Sequence, residues 1–163
     1  VGVRYHVEFR RRLNMYIGFA YAHVARSTET FLNVKTEKLY AKYIVNAGAQ
    51  IDVNDKINLV PTFMFLMQGP SLQANVGINA QFIFGDSYTS RNYFSVGVSS
   101  RFSSHTPDAV IPNVRIDYKN ITLGVAYDVN VSSLARATSS FGAIEVGMMY
   151  VYKKKERKME GRF

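Results

Sequence analysis

Apolar and polar residues alternate with a period of two through nearly the whole chain, the signature of strands that gather their apolar side chains on one face. Val1, Val3, Tyr5, Val7 and Phe9 alternate with Gly2, Arg4, His6, Glu8 and Arg10, and Met15, Ile17, Phe19 and Tyr21 alternate with Tyr16, Gly18, Ala20 and Ala22. A third segment, Leu39, Ala41, Tyr43, Val45 and Ala47, is less clean, with Ile44 on the other face. The fourth is apolar on both faces from Ile57 to Met67. The fifth sets Leu72, Ala74, Val76, Ile78, Ala80, Phe82 and Phe84 against Gln73, Asn75, Gly77, Asn79 and Gln81. Phe94 to Phe102 marks a sixth, Val114 to Tyr118 a seventh, Ile121 to Tyr127 an eighth and Ile144 to Tyr152 a ninth. No stretch of any length carries helical spacing. The chain reads as all-β.

The connections sort these strands into a meander. Arg11 to Asn14, Asp52 to Lys56 and Gln68 to Ser71 are short, and Gly85 to Arg91 is intermediate. Lys119-Asn120 reads as a two-residue turn in which Asn supplies the positive φ. Ala25 to Lys38 and Asn130 to Ser140 are long, and Ser103 to Ala109 is a longer polar connection. Short turns at one end and long loops at the other predict an up-and-down antiparallel architecture with unlike ends, as in outer-membrane barrels.

The polar face separates a soluble barrel from a membrane barrel. The former fills that face with Lys and Glu, whereas the latter turns it to a lumen where Gly, Asn, Gln, Ser and Thr are common. Strand five shows Gln, Asn, Gly, Asn, Gln; strand six Tyr93, Ser95, Gly97, Ser99, Arg101; strand eight Thr122, Gly124, Ala126, Asp128. Aromatics stand near strand ends, among them Phe9, Tyr21, Phe84, Phe94, Phe102, Tyr118 and Tyr127, as an interfacial girdle would place them. The pattern therefore predicts an antiparallel up-and-down transmembrane β-barrel with about nine strands visible. Nine is odd where single-chain bacterial barrels are even. An open sheet in lipid also leaves edge N–H and C=O groups unsatisfied. The expectation is accordingly the C-terminal part of a larger barrel, with strands and loops over 1–152 and a basic tail over 153–163.

Composition narrows this further. The 163 residues, 47% hydrophobic, make one domain of ordinary size. The longest near-apolar run, Leu59 to Met67, is far short of the about 20 residues a transmembrane helix needs. With no Cys, disulfide scaffolds, thiolate zinc sites and thiol catalysis are excluded together. The net charge of +8 is concentrated. Lys153 to Arg162 holds six basic and two acidic residues, and Arg10, Arg11 and Arg12 add three more positive charges, leaving +1 for everything else. A charge confined to one turn and one tail fits a solvated end, or one near anionic lipid, better than a nucleic-acid site.

Candidate chemistry is thin. His6, His23 and His105 lack HxH or HExxH spacing, so strand or loop histidines are a better reading than metal ligands. Asp52, Asn54 and Asp55 resemble half a calcium loop without its Gly and closing Glu, and turn chemistry accounts for them. No GxSxG, P-loop or GxGxxG occurs, and no cofactor is expected. The ionisable residues expected to face a lumen are Arg4, Glu8, Arg10, Lys42, Arg101, Arg115, Asp117, Asp128 and Glu145. Both signs occur, which favours cross-lumen ion pairs in a sealed or plugged scaffold over an ion-selective pore.

The segments MYIGFAYAHV, LYAKYIVNAGAQIDVNDKINLVPTFMFL, LQANVGINAQFIFGD and YFSVGVSSRFSSHTPDAVIPNVRIDYKNITLGVAYDVNVSSL together resemble the C-terminal half of the PorP/SprF family. Matching stretches are Gly18 to His23, Leu39 to Val45, Leu59 to Leu66, Leu72 to Asp86 with Tyr93 to Arg101, and Ile121 to Leu134; the final Phe163 after Arg162 is similar to the family's basic-aromatic ending. The chain departs from the family in its longer Gly85 to Arg91 turn and in having Tyr93-Phe94 where a Trp is usual. The resemblance implies a non-enzymatic bacterial outer-membrane component of type IX secretion and gliding machinery, helping to export or anchor adhesins or other cargo. Its implied partners are outer-membrane lipid, other components of that machinery and the exported protein. The loops Ala25 to Lys38, Ser103 to Ala109 and Asn130 to Ser140 would be the contact surfaces. Two other classes compete with it: a passive porin or channel, and a soluble lipid- or sugar-binding barrel.

Overall fold

The computed structural model describes residues 1–9, 12–25, 28–29, 37–85, 92–104, 106–132 and 142–152. Nine strands form one antiparallel sheet: β1 (Gly2–Phe9), β2 (Leu13–Ala22), β5 (Lys42–Asn54), β6 (Ile57–Gln68), β7 (Ser71–Phe84), β8 (Asn92–Ser103), β9 (Thr106–Tyr118), β10 (Ile121–Asn130) and β11 (Ala143–Tyr150). Each pairs with the next in sequence, as a meander of alternating strands requires. A two-residue ribbon, β3 (Thr28–Glu29) with β4 (Glu37–Lys38), interrupts the segment expected to be a plain loop between β2 and β5. No helix among the described residues is long and apolar enough to cross a membrane.

The expected closed barrel is not what forms. The sheet is open, with β1 at one edge and β11 at the other and no ladder between them. Every pairing is antiparallel, so the first and ninth strands run in the same direction; only a parallel ladder could join them, and none forms.

Through the middle of the sheet register carries the alternation without a slip of face, the two irregularities, at Asp52/Asn54 and Arg101/Phe102, lying near strand ends. Ile17 stands opposite Ala47, Ala47 opposite Phe63, Phe63 opposite Val76; Ile78 opposite Val98, Val114 opposite Val125, and Val125 opposite Val146. A one-residue shift anywhere would send this set to the other side. Two prolines sit inside central strands, where a missing N–H is costly. Pro61 pairs with Ile78 on β7, and the β5–β6 ladder has no pair at Ala49 or Gln50. Pro112 pairs with Val98 on β8, and the β9–β10 ladder is interrupted between Asn113 and Val110. In both cases the lost donor falls on the side where the ladder opens.

Two connections differ from the sequence reading. Most of the polar stretch Ser103 to Ala109 is strand: β9 begins at Thr106, and a bulge at Arg101/Phe102 admits Pro107 into the ladder. Its strand character was masked because Pro107 and Asp108 are poor strand formers. In the 119–120 turn it is Lys119 that carries the positive φ, at 53°, and not Asn120. A side chain from β8 helps hold it there, since the Lys119 N–H donates to Asn92 Oδ1 at 3.0 Å.

Burial is inverted relative to a water-soluble sheet. Most of the enclosed side chains among the described residues, and all the larger ones, are polar: Asn58 is 1% exposed and Gln81 7%, with Ser95 and Asn92 also buried. Ala41 and Ala109 are the only buried apolar residues among those described. The apolar row is open instead, from Val98 at 42% through Val125 at 51% to Val146 at 76%.

Candidate functional site

The exposed apolar face is continuous over all nine strands and ordered along its height. Tyr21 and Tyr43 pack with ring centres 5.0 Å apart near one end, where Phe102 and Tyr127 also stand. Near the other end Phe82 and Phe94 approach to 6.5 Å, on a row with Phe9, Phe84, Tyr118 and Tyr150. Between the rows lie mainly aliphatic residues: Ile17, Val76, Ile78, Val96, Val98, Val114, Leu123 and Val125. On β8 the two rows are eight residues apart, about 27 Å along a strand rising about 3.4 Å per residue. Tilted about 35–45° as membrane strands are, that spans about 19–22 Å, somewhat less than the about 25 Å apolar band of outer-membrane proteins. Aromatic girdles flank the apolar band of outer-membrane proteins, and the tyrosines of both rows carry the amphipathic ring that settles at the headgroup level.

The polar face holds two ion-paired groups. Arg101 on β8 reaches two carboxylates, Asp108 of β9 through Nε at 2.7 Å and Asp128 of β10 through Nη1 at 2.6 Å. One guanidinium thereby ties three adjacent strands, with Ser103 Oγ donating to Asp108 at 3.4 Å. Nearer the other end, Arg115 pairs with Asp117 at 2.9 Å, and Thr122 Oγ1 donates to the same carboxylate at 2.6 Å. Each ion pair is partly exposed, so geometry and charge-assisted hydrogen bonding, rather than deep burial, set its strength.

All eight described residues of the expected charged set leave the sheet on this polar face; no enclosed lumen exists for them to line. Four are drawn into the two clusters: Arg101, Asp128, Arg115 and Asp117. Arg4 instead lies over the Tyr16 ring, 3.9 Å from its centre. That ring covers Gly48 across the β2–β5 ladder so closely that a Cβ at 48 would meet it at 2.6 Å. Glu8, Lys42 and Glu145 form no ion pair among the described residues. Arg10, His105, the tail over 153–163 and most of the two long loops lie outside the described residues.

Sequence reading missed Asp108, because it fell in a presumed loop, and the buried pair in which Asn58 Nδ2 donates to Gln81 Oε1 at 3.1 Å. The signal for the pair was present: both are polar-face positions, one at the start of β6 and the other near the end of β7, and they stand opposite each other in the hairpin. His6 lies on the polar face opposite Tyr16, and His23 follows β2 with φ 58°. No group of three or more metal-ligating residues forms among those described. At the 55–56 turn, Asn54 Oδ1 accepts the Lys56 N–H at 2.9 Å, a side-chain turn of the kind its sequence suggested.

The sheet thus presents an exposed apolar band between aromatic rows on one face and ion-paired side chains on the other. No curated protein and no solved structure matched the chain in comparison. The model of the family described as type IX secretion system membrane protein PorP/SprF matches residues 1–150. The chain therefore belongs to the PorP/SprF family, non-enzymatic outer-membrane components associated with the type IX secretion and gliding machinery.

Proposed function

We propose that this chain is a docking scaffold of the secretion machinery, its apolar face against outer-membrane hydrocarbon and its other surfaces offered to machinery and exported protein. The observation that carries the reading is the inverted burial: an apolar face that would be a liability in water is the natural outer surface in lipid. The ion pairs stiffen the polar face. Charges of both signs, half of the described set in ion pairs, suit a scaffold better than a pathway lined for one class of ion. Connection lengths orient the sheet. The short turns belong on the periplasmic side and the long segments 23–41 and 131–142 on the outer side, where an adhesin or other cargo would be met.

The absence of Cys makes the test direct, because single cysteines can be introduced and spin-labelled one at a time. In reconstituted vesicles, labels at Val96, Val98 and Val114 should be relaxed by dissolved oxygen and shielded from a water-soluble nickel chelate. Labels at Gln50 and Ala126 on the polar face should show the reverse. Equal chelate access at both sets would overturn the reading.

A further inference from the structure

The apolar face carries a depression. Phe9, Met15 and Phe63 wall a trough of about 550 Å³ floored by Ala47, Ala49 and Pro61, on the β1 side of the sheet. Its floor is low for two reasons legible in the chain: alanines replace large side chains at two successive apolar positions of β5, and the β5–β6 ladder opens beside Pro61. Phe9 ends β1, so the trough opens onto the rim where the 10–12 turn joins β1 to β2.

The described residues of that rim are mainly basic. Arg12 and the 55–56 and 119–120 turns lie there, and β11 ends there too, because Tyr150 pairs with Ile121 beside the 119–120 turn. They hold Arg12, Lys56 and Lys119 against one acidic residue, Asp55. The nine strands hold four basic and six acidic residues. Of the cations described here, Arg12, Lys56 and Lys119 are exposed and form no ion pair among the described residues. Lys119 Nζ lies 5.1 Å from the centre of the Tyr118 ring, an ammonium beside an aromatic at the end of the apolar band.

We propose that rim and trough together bind one anionic phospholipid, its phosphate at the Arg12 rim and an acyl chain along Ala47 and Ala49. This deepens the membrane reading and rests on it. An acidic protein segment would answer the rim's charge but leave the trough empty, and an apolar peptide would fill the trough without using the charge. Only an amphiphile with an anionic head and a long apolar chain uses both.

The test reconstitutes the full chain into phosphatidylcholine vesicles and titrates in phosphatidylglycerol, following thermal unfolding by far-UV circular dichroism. Phosphatidylglycerol should raise Tm, while additional phosphatidylcholine or inorganic phosphate should leave it unchanged. Arg12→Gln should weaken the response at least fivefold, the worth of one cation near an anionic lipid surface. Ala49→Leu, which fills the trough, should abolish it, whereas Ala74→Leu, on the same face outside the trough, should not. An equal response to both lipids, or full responses from Arg12→Gln and Ala49→Leu, would overturn the proposal. Flotation of the same samples reads the underlying premise separately: a chain that enters neither vesicle overturns the membrane reading itself.

Discussion

Val98 is the position at which the lipid-facing reading is most exposed to refutation. It sits midway between Phe94 and Phe102 on β8, paired with Ile78 on one side and Pro112 on the other, with 42% of its surface open. If that surface meets hydrocarbon, Val98→Arg places a guanidinium near the bilayer midplane, at a cost of about 2–4 kcal/mol for a lipid-facing strand. At about 1.4 kcal/mol per decade, that is about 30- to 700-fold in the folding equilibrium. If the surface meets water, a half-open strand position tolerates the change within about 1 kcal/mol, the whole span of strand propensity. Phe94→Arg, at the aromatic row, should cost only about 0–1 kcal/mol, because the penalty falls off toward the interface. Ala126→Arg is the control for the other face, since it sets the new cation opposite Glu145. Guanidinium unfolding from phosphatidylcholine vesicles, followed by the β signal in far-UV circular dichroism, ranks the three. A Val98→Arg cost no larger than that of Ala126→Arg would refute the reasoning, whatever the absolute stabilities.

Other perturbations test the sheet's internal devices. Arg101→Met leaves Asp108 and Asp128 facing each other without their shared cation, and should lower stability by about 1–2 kcal/mol, the lower part of the range for charged hydrogen bonds because the group is partly exposed. Chemical denaturation should show that loss shrinking in 1 M salt. Gly97→Val should be worse: a Cβ at 97 runs into the Asn79 side chain and comes within 2.6 Å of the Ile78 carbonyl oxygen, for about 1–3 kcal/mol by the same assay. Lys119→Gly should stabilise by up to about 1 kcal/mol, because it removes a side chain from a left-handed conformation. Asn92→Ala should destabilise by about 1 kcal/mol through the lost bond to the Lys119 N–H, and thermal melts of both single variants check the signs.

The strand order and the identity of the two faces were legible because a period-two pattern is sensitive to nothing but register. Ile17, Val76, Val98 and Val125 announce their side of the sheet wherever the ends fall. The ends were less legible. β9 gains eight residues over Val114 to Tyr118 because Pro107 enters at a bulge and Asp108 is held by Arg101, both tertiary facts that local propensity opposes. The positive φ at Lys119 is of the same kind, fixed partly by Asn92 from another strand. Closure could not be read from alternation at all, since the same faces serve an open sheet and a barrel; the parity of nine strands was the useful warning. Of the charged residues, placement on the polar face followed from parity. Which of them pair did not: Arg101 meets Asp108 and Asp128 across ladders whose stagger depends on the bulge at Arg101, and Arg115 meets Asp117 along β9 itself.

The open edges sharpen what docking must mean here. About half the residues of an edge strand point N–H and C=O away from the sheet, so β1, eight residues long, presents roughly eight such groups. In hydrocarbon each unsatisfied group costs several kcal/mol, which sums to tens of kcal/mol for one edge. A domain's whole stability is only about 5–15 kcal/mol. The apolar face and the bare edges therefore make opposite demands: the face favours the bilayer, and the edges cannot enter it alone. Both are met if β1 and β11 are paired with other polypeptide when the sheet is in the membrane. Hydrogen exchange reads this directly. In native outer-membrane fragments the edge-facing amides of β1 and β11 should exchange as slowly as those of β7, whereas in the isolated chain they should exchange far faster. Fast exchange at both edges in the native membrane would show that they face water, and would confine the bilayer-facing part of the sheet to its interior strands.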